Sequence, residues 1–198
     1  MLRTSLEFVS GEIAEYMFLK DPGTYTNRES IVHLSGLTYP DGSSAIDSAK
    51  HIMITLAKME EERLEGKAPY YINTSDDKYA RKNPAVTLNF YLLFIACNKN
   101  YSTALRDLSH VVSFFQGSPV FDKKKFPGLN NPSDPAWKQV EKLVFYIQPL
   151  SFEQENNIWS SMGAKYMPSI MYKVRMLTIA SASGEETEPI KEIQFKEN

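Results

Sequence analysis

The chain has 198 residues, with 22 Lys plus Arg against 24 Asp plus Glu and a net charge of -2, a balance that excludes the broad cationic field of a dedicated nucleic-acid binder. Hydrophobic residues make up 42% and charged residues 23%, the proportions of a folded globular protein and not of a disordered or fibrous one. At this length one domain is expected, able to bury its core without a disulfide or a structural metal, and the 11 Tyr and 11 Phe predict a core built from large rings.

Leu2, Leu6, Val9, Ile13 and Met17 recur at steps of three and four, which predicts an amphipathic helix from the N-terminus to about residue 20. Asp21, Pro22 and Gly23 stop it. A short strand follows over 31–37, closed by Pro40, Asp41 and Gly42. The next strand spans 51–59, with His51, Met53, Thr55 and Ala57 on one face and Ile52, Ile54, Leu56 and Lys58 on the other. Residues 60–83 show no sustained period and read as a long exposed loop, which a compact domain usually keeps for a reason. Pro84 opens the strongest strand, 86–96, apolar at nearly every position and so expected at the centre of a sheet with both faces covered.

At Tyr101, Ala104, Leu105, Leu108, Val111, Val112 and Phe115 the period switches to 3.6, and Gly117 with Pro119 end that helix. Residues 122–135, with Lys123, Lys124, Lys125, Gly128 and prolines 127, 132 and 135, read as a second long loop. A strand is predicted over 137–148, stopped by Pro149; Ser151 and Gln154 then form a capping-box pattern for a short helix to about 162. The last strand, 168–179, turns Ile170, Tyr172, Val174 and Met176 one way and Lys173 and Arg175 the other. The expected architecture is one α/β (α+β) domain over 1–180, a mixed sheet of about five strands flanked by helices, with 181–198 as a charged C-terminal tail or arm.

Chemistry-bearing patterns are missing. His33, His51 and His110 stand neither three or four residues from another His nor beside Cys97, so no metal site is expected. His110 falls between core positions of its helix and reads as a partly exposed or hydrogen-bonded histidine. Neither a glycine-rich phosphate loop nor a Gly-x-Ser-x-Gly elbow occurs, so no cofactor and no catalytic residue are assigned. Glu60, Glu61 and Glu62 alternate between faces of an extended chain and read as a solvated strand end that keeps an edge from pairing. The three lysines 123–125 read as solvated. Cys97 ends an apolar run and is expected as a buried reduced thiol, in keeping with synthesis in a reducing cytoplasm. Glu7, Glu12 and Glu15 interrupt the first segment, so neither a signal peptide nor membrane insertion is expected.

What stands out is suited to contact. Asn156, Asn157, Trp159 and Tyr166 place amides beside large aromatics on the short helix and its exit, Trp159 being either core packing or an interface anchor. Lys173 and Arg175 give the last strand a polar face, which puts it either plainly in solvent or at the rim of the sheet, where it can receive a partner strand or line a charged passage. These six residues are the candidate interface.

The stretches HIMITLAKMEEER, NPAVTLNFYLLFIACNKNYSTALRDLSHVVSFFQGSPVF, VEKLVFYIQPLSFEQENNIWSSMG and YMPSIMYKVRMLTI, in this order, resemble the cap or tail-terminator family of bacterial contractile injection systems of the antifeeding-prophage and virulence-cassette type. The resemblance covers about residues 1–180, and its most specific parts are FFQGSPVF and LSFEQENNIWSSMGAKYMPSIMYKVRML. It implies a non-enzymatic structural subunit with a tail-terminator-like fold. Such a subunit forms a homohexameric ring at the end distal to the baseplate, ends the inner tube and joins the last sheath layer. Its partners are then its own copies and the tube and sheath proteins, without nucleic acid, first in the bacterial cytoplasm and then in the particle. The sequence departs most from the family in its charged tail after Ala180 and its proline-rich loop at 122–135. Two other readings stay open: a cytosolic adaptor or assembly factor gripping one partner through Trp159, and an enzyme assembling a site from scattered residues such as His51, Glu60 and Tyr101.

Overall fold

A computed structural model describes residues 2–62, 71–75, 78–82, 87–130, 140–178 and 182–187. Helix α1 (Leu2–Lys20) is followed by a 3-10 turn, β1 (Val32–Leu34) and β2 (Ile52–Glu61). Next come β3 (Tyr71–Ser75), β4 (Lys78–Lys82), β5 (Thr87–Ala96), α2 (Tyr101–Gly117) and β6 (Val120–Asp122). The chain continues through a second 3-10 turn, β7 (Val140–Ile147), α3 (Phe152–Ser161), β8 (Ser169–Thr178) and β9 (Ala182–Thr187).

Six strands form one sheet in the order β1-β2-β5-β8-β7-β6, with β1 parallel to β2 and every other neighbour antiparallel. The mixed α+β domain expected from the periodicities is what forms, with the apolar run of β5 in the interior of the sheet. Helix ends follow local chemistry. Asn100 caps α2 by accepting from the Thr103 amide at 3.1 Å. The predicted capping box of α3 is present in both directions, Gln154 N–H to Ser151 Oγ at 3.2 Å and Ser151 N–H to Gln154 Oε1 at 3.0 Å.

The structure differs from several of these expectations. The long loop at 60–83 contains structure: β2 runs to Glu61, and β3 pairs with β4 in a separate three-stranded sheet, β3-β4-β9. The third strand of that sheet comes from the stretch read as a tail, Ala182–Thr187 pairing antiparallel with β4, while 188–198 lie outside the described residues. The loop at 122–135 starts inside β6, whose Asp122 carboxylate accepts from the amides of Lys124 at 3.0 Å and Lys125 at 2.7 Å; residues 131–135 lie outside the described set. Of the three lysines, Lys125 is not merely solvated, since its ammonium donates to Gly117 O and Ser118 Oγ at the end of α2. Finally β8 is an interior strand between β5 and β7, so it has no free edge with which to receive a partner strand.

The sheet separates two cores of unequal size. On one face, Leu6, Val9, Ile13 and Met17 of α1 and Val111, Phe114 and Phe115 of α2 close over Phe90, Leu92 and Phe94 of β5 and Tyr172, Val174 and Met176 of β8. Phe115 is the hub of the rings, with centroids 4.5 Å from Phe145, 4.6 Å from Tyr172 and 5.4 Å from Phe94. Each such buried ring contributes about 1.5–3 kcal/mol by transfer from water. On the opposite face a smaller cluster gathers Leu37, Met53, Leu93, Ile95, Cys97, Trp159 and Met171 beneath α3 and the segment around Leu37. The alternation of β2 therefore does not divide inner from outer at its start, where Ile52, Met53, Ile54 and Thr55 are all buried.

Candidate interface surfaces

The side chains singled out on α3 fall in different environments. Trp159 is 4% exposed and belongs to the smaller core, its ring edge-on to Tyr166 at 5.7 Å. Tyr166 is 64% exposed, while Asn156 and Asn157 stand in solvent on the same helix. Burial, and then the charge of Glu155, hold the Tyr166 phenol above its ordinary pKa.

Lys173 and Arg175 are brought into a polar ladder on the same sheet face, adjoining the Trp159 cluster, against which the ladder's Tyr91 packs. One register row across four strands reads Lys58, Tyr91, Lys173, Tyr146, and the next reads Glu60, Asn89, Arg175, Val144. Lys58 and Lys173 flank the Tyr91 ring at 5.6 and 5.9 Å from its centroid. The Tyr91 hydroxyl donates to Glu60 Oε1 at 3.0 Å, and Lys58 pairs with Glu60 Oε2 at 2.6 Å. Hydrogen bonds from Lys58 and then Tyr91 hold the Glu60 carboxyl below the usual carboxylate range. Arg175 Nε donates to Glu62 Oε2 at 2.6 Å. The carboxylates at 60 and 62 are thus committed to cations of the same sheet and do not form a freely solvated strand end. Lys173 lies within ion-pair distance of no described carboxylate.

A second polar cluster escaped the sequence analysis. Asp107 on α2 is fully buried, and three side chains converge on its carboxylate. The Tyr25 hydroxyl donates to Oδ1 at 2.8 Å, His51 Nδ1 lies 2.9 Å from Oδ2, and Arg106 donates to Oδ1 at 3.3 Å. Arg106 also reaches Thr24 Oγ1 at 3.1 Å and Asp21 Oδ2 at 3.2 Å, so the charge has a continuous path to the surface. Burial, then the Asp107 hydrogen bond, push the Tyr25 phenol far up, and burial lowers the pKa of neighbouring His110. The pairs join residues 82 and 56 positions apart, which no local spacing reveals. Only an Asp at a buried position of α2 hinted at it.

This cluster anchors the corner between α1, α2 and β2. Of the scattered residues considered for catalysis, His51 belongs to it, Glu60 sits nine positions further along the same extended strand, about 30 Å away at ~3.3 Å per residue, and Tyr101 is an exposed residue at the start of α2. The fold does not bring the three together. Among the described residues no group of three metal-ligating side chains occurs. A shallow apolar groove of about 570 Å³ runs between α2, at Leu105, Leu108 and Val112, and Ile170 of β8.

The family model for the Pvc16 N-terminal domain matches residues 12–192 of the chain. Among solved structures the chain is similar to the sheath/tube terminator of an extracellular contractile injection system in its extended state, with 14% identity and a TM-score of 0.42, over 96% of this chain and 62% of that one. It is also similar to the tube-terminating cap of the anti-feeding prophage, with 18% identity and a TM-score of 0.42, over 87% of this chain and 56% of that one. The chain therefore spans about six-tenths of the length of the solved proteins it matches. No curated protein matches the sequence.

Proposed function

The chain belongs to the Pvc16 N-terminal domain family, and from that membership we propose that it is a structural terminator subunit of a contractile injection system, one that ends the inner tube and meets the last sheath layer. The observation that carries this reading is the match over residues 12–192, nearly the whole chain. In this reading the subunits close into a homohexameric ring at the end distal to the baseplate, assembled in the cytoplasm and carried in the particle. A ring of identical subunits needs two different, complementary patches per subunit. A terminator also needs one axial face that matches the polymer and another that refuses the next layer. Shape and charge suffice for both, and no catalytic group is called for. The exposed Tyr166, Asn156 and Asn157 and the ladder around Lys173 and Arg175 are the surfaces we assign to such contacts. Among the described residues no helix is long and apolar enough to cross a membrane.

Deleting the gene and measuring tube lengths by negative-stain microscopy tests the reading. We expect tubes of uncontrolled length and sheaths detached at one end, restored by the wild-type chain. In native mass measurements of particle-derived protein, species near six times 22.6 kDa are expected. Normal tube lengths without the protein, or its absence from purified particles, would sink the proposal.

A further inference from the structure

The three helices are not fastened alike. α1 and α2 each bury a stripe in the larger core, and the Asp107 cluster ties α2 to the turn after α1 and to β2. α3 buries one residue, Trp159. It belongs to residues 150–167, an excursion between the neighbouring strands β7 and β8 that is bounded by Pro149 and Pro168. The two ends are anchored in the sheet, Gln148 N–H donating to Met171 O and Ala96 N–H to Pro168 O, both at 2.9 Å. Between these anchors no hydrogen bond, ion pair or ring-on-ring contact joins 150–167 to any other described part of the chain.

The polar contacts of the segment are internal. The Ser151–Gln154 box starts its helix, and Gly163, at φ 64°, ends it, with Gly163 N–H donating to Ser160 O at 3.2 Å and Ala164 N–H to Trp159 O at 3.4 Å. The Tyr166 ring then folds back onto Trp159. What holds the segment to the sheet is apolar packing alone, Trp159 with the partly buried Ile158, Met162 and Met167 against Met53, Leu93 and Met171. That packing is incomplete. A cavity of about 370 Å³ separates 163–167 from the turn at 37–46. The indole N–H of Trp159 is buried with no acceptor among the described residues, which opposes its burial.

We propose that residues 150–167 form a strap that detaches from the sheet as one unit, with Trp159 as its latch, while the strands β7 and β8 that carry it stay paired. Once detached, the strap loses its helix, since the 10 residues of α3 are too few to stay helical in water without packing. Opening therefore unprotects the α3 amides. It also bares Cys97, the one cysteine of the chain, which is 2% exposed in the core beneath the strap. The side chains assigned above to contact, Tyr166, Asn156 and Asn157, ride on this strap, so the surface they present moves with it. The opening itself stands independently of the terminator reading.

The test follows two probes in the full chain, amide hydrogen exchange and alkylation of Cys97 by iodoacetamide, as urea is raised toward the unfolding transition. Burial pushes the Cys97 thiol up to about 11, so the closed form is unreactive and labelling reports opening. The amides of 155–161 should exchange at least about tenfold faster than those of β5. Both probes should depend only weakly on urea, because a strap exposes far less surface than the whole domain. Trp159→Ala removes the latch and should speed both by about a hundredfold, and Met167→Ala, which keeps the tryptophan, by about tenfold. Val111→Ala, in the opposite core, should lower the urea midpoint and leave both rates at low urea unchanged. Exchange of 155–161 no faster than β5, steep urea dependence of Cys97 labelling, or equal acceleration in Val111→Ala overturns the strap. Faster labelling in Trp159→Ala without faster α3 exchange overturns it too, since a hole beside the thiol then accounts for the result. Tube length judges the terminator reading separately from all of these.

Discussion

On one side of the six-stranded sheet, β5 and β8 present Phe90, Leu92, Phe94, Tyr172, Val174 and Met176 to two helices. On the other side the same strands present Leu93 and Met171 to a short helix and then Asn89, Tyr91, Lys173 and Arg175 to a mixed-charge ladder. The first face is closed by rings packed against rings. The second is closed for half its length and continues as ion pairs and cation–ring contacts that stay partly in water. One strand thus carries both a buried apolar side and a partly exposed polar side because its residues alternate. The comparison teaches that the helix-covered face holds the fold, while the ladder tolerates more change.

The sharpest way to break this comparison is to remove a ring from the closed face. Phe115→Ala deletes the hub that Phe94, Phe145 and Tyr172 share and should lower the unfolding free energy by about 3–5 kcal/mol. In urea titrations the midpoint falls accordingly; a loss below about 1 kcal/mol would mean that this core is not the main support of the domain.

Asp107→Ala should come next. It leaves the Tyr25 hydroxyl and His51 without their shared acceptor in a fully buried site, at a cost of about 3 kcal/mol. Tyr25→Phe removes one donor and keeps the ring beside His51, so about half that loss is expected. If Asp107→Ala melts with the wild type, the node does not tie the helix corner to β2.

A pH series probes two partly buried histidines. His33 and His110 are both held below the ordinary histidine pKa of 6.5, in each case mainly by burial. The unfolded chain then takes up protons at a higher pH than the folded one, so the stability these residues contribute is complete above about pH 6.5 and is lost as the pH falls below it. Denaturation midpoints should therefore decline on acidification from neutrality, less steeply in His110→Gln. An unchanged slope in that variant would remove His110 from the account.

These sites mark the limits of what the sequence made legible. The long elements α1, α2 and β8 were readable because each has one consistently buried stripe, β5 because it is apolar at nearly every position, and α3 because its capping box is local chemistry. β3, β4 and β9 were not, because YINTS, KYARK and ASGEET carry little apolar alternation and pair through partners as distant as Tyr79 with Thr187. The charged side of β8 suggested a rim. The strand is interior, and its lysine and arginine are accommodated because their face of the sheet is only half covered. The Asp107 node was invisible for a similar reason, since its partners meet only after folding.

Smaller effects are expected on the ladder. The Arg175–Glu62 pair keeps about a third of each side chain in solvent, so Arg175→Ala should cost no more than about 1 kcal/mol, and less at high salt. A loss comparable to that of Phe115→Ala would erase the distinction between the two faces.

The smallest change is expected at Tyr172, inside the closed face. The residue is 1% exposed, its ring lies against Phe94 and Phe115, and burial pushes its phenol up to about 12. Its hydroxyl has no hydrogen-bond partner among the described residues. An unpartnered buried hydroxyl opposes folding, because it leaves water without compensation. Tyr172→Phe keeps the ring contacts and removes that penalty, so the variant should match the wild type or exceed it by up to about 1 kcal/mol. A clear loss of stability would instead reveal that the hydroxyl is held by a group of its own, and that the helix-covered face, like the ladder, depends on a polar contact.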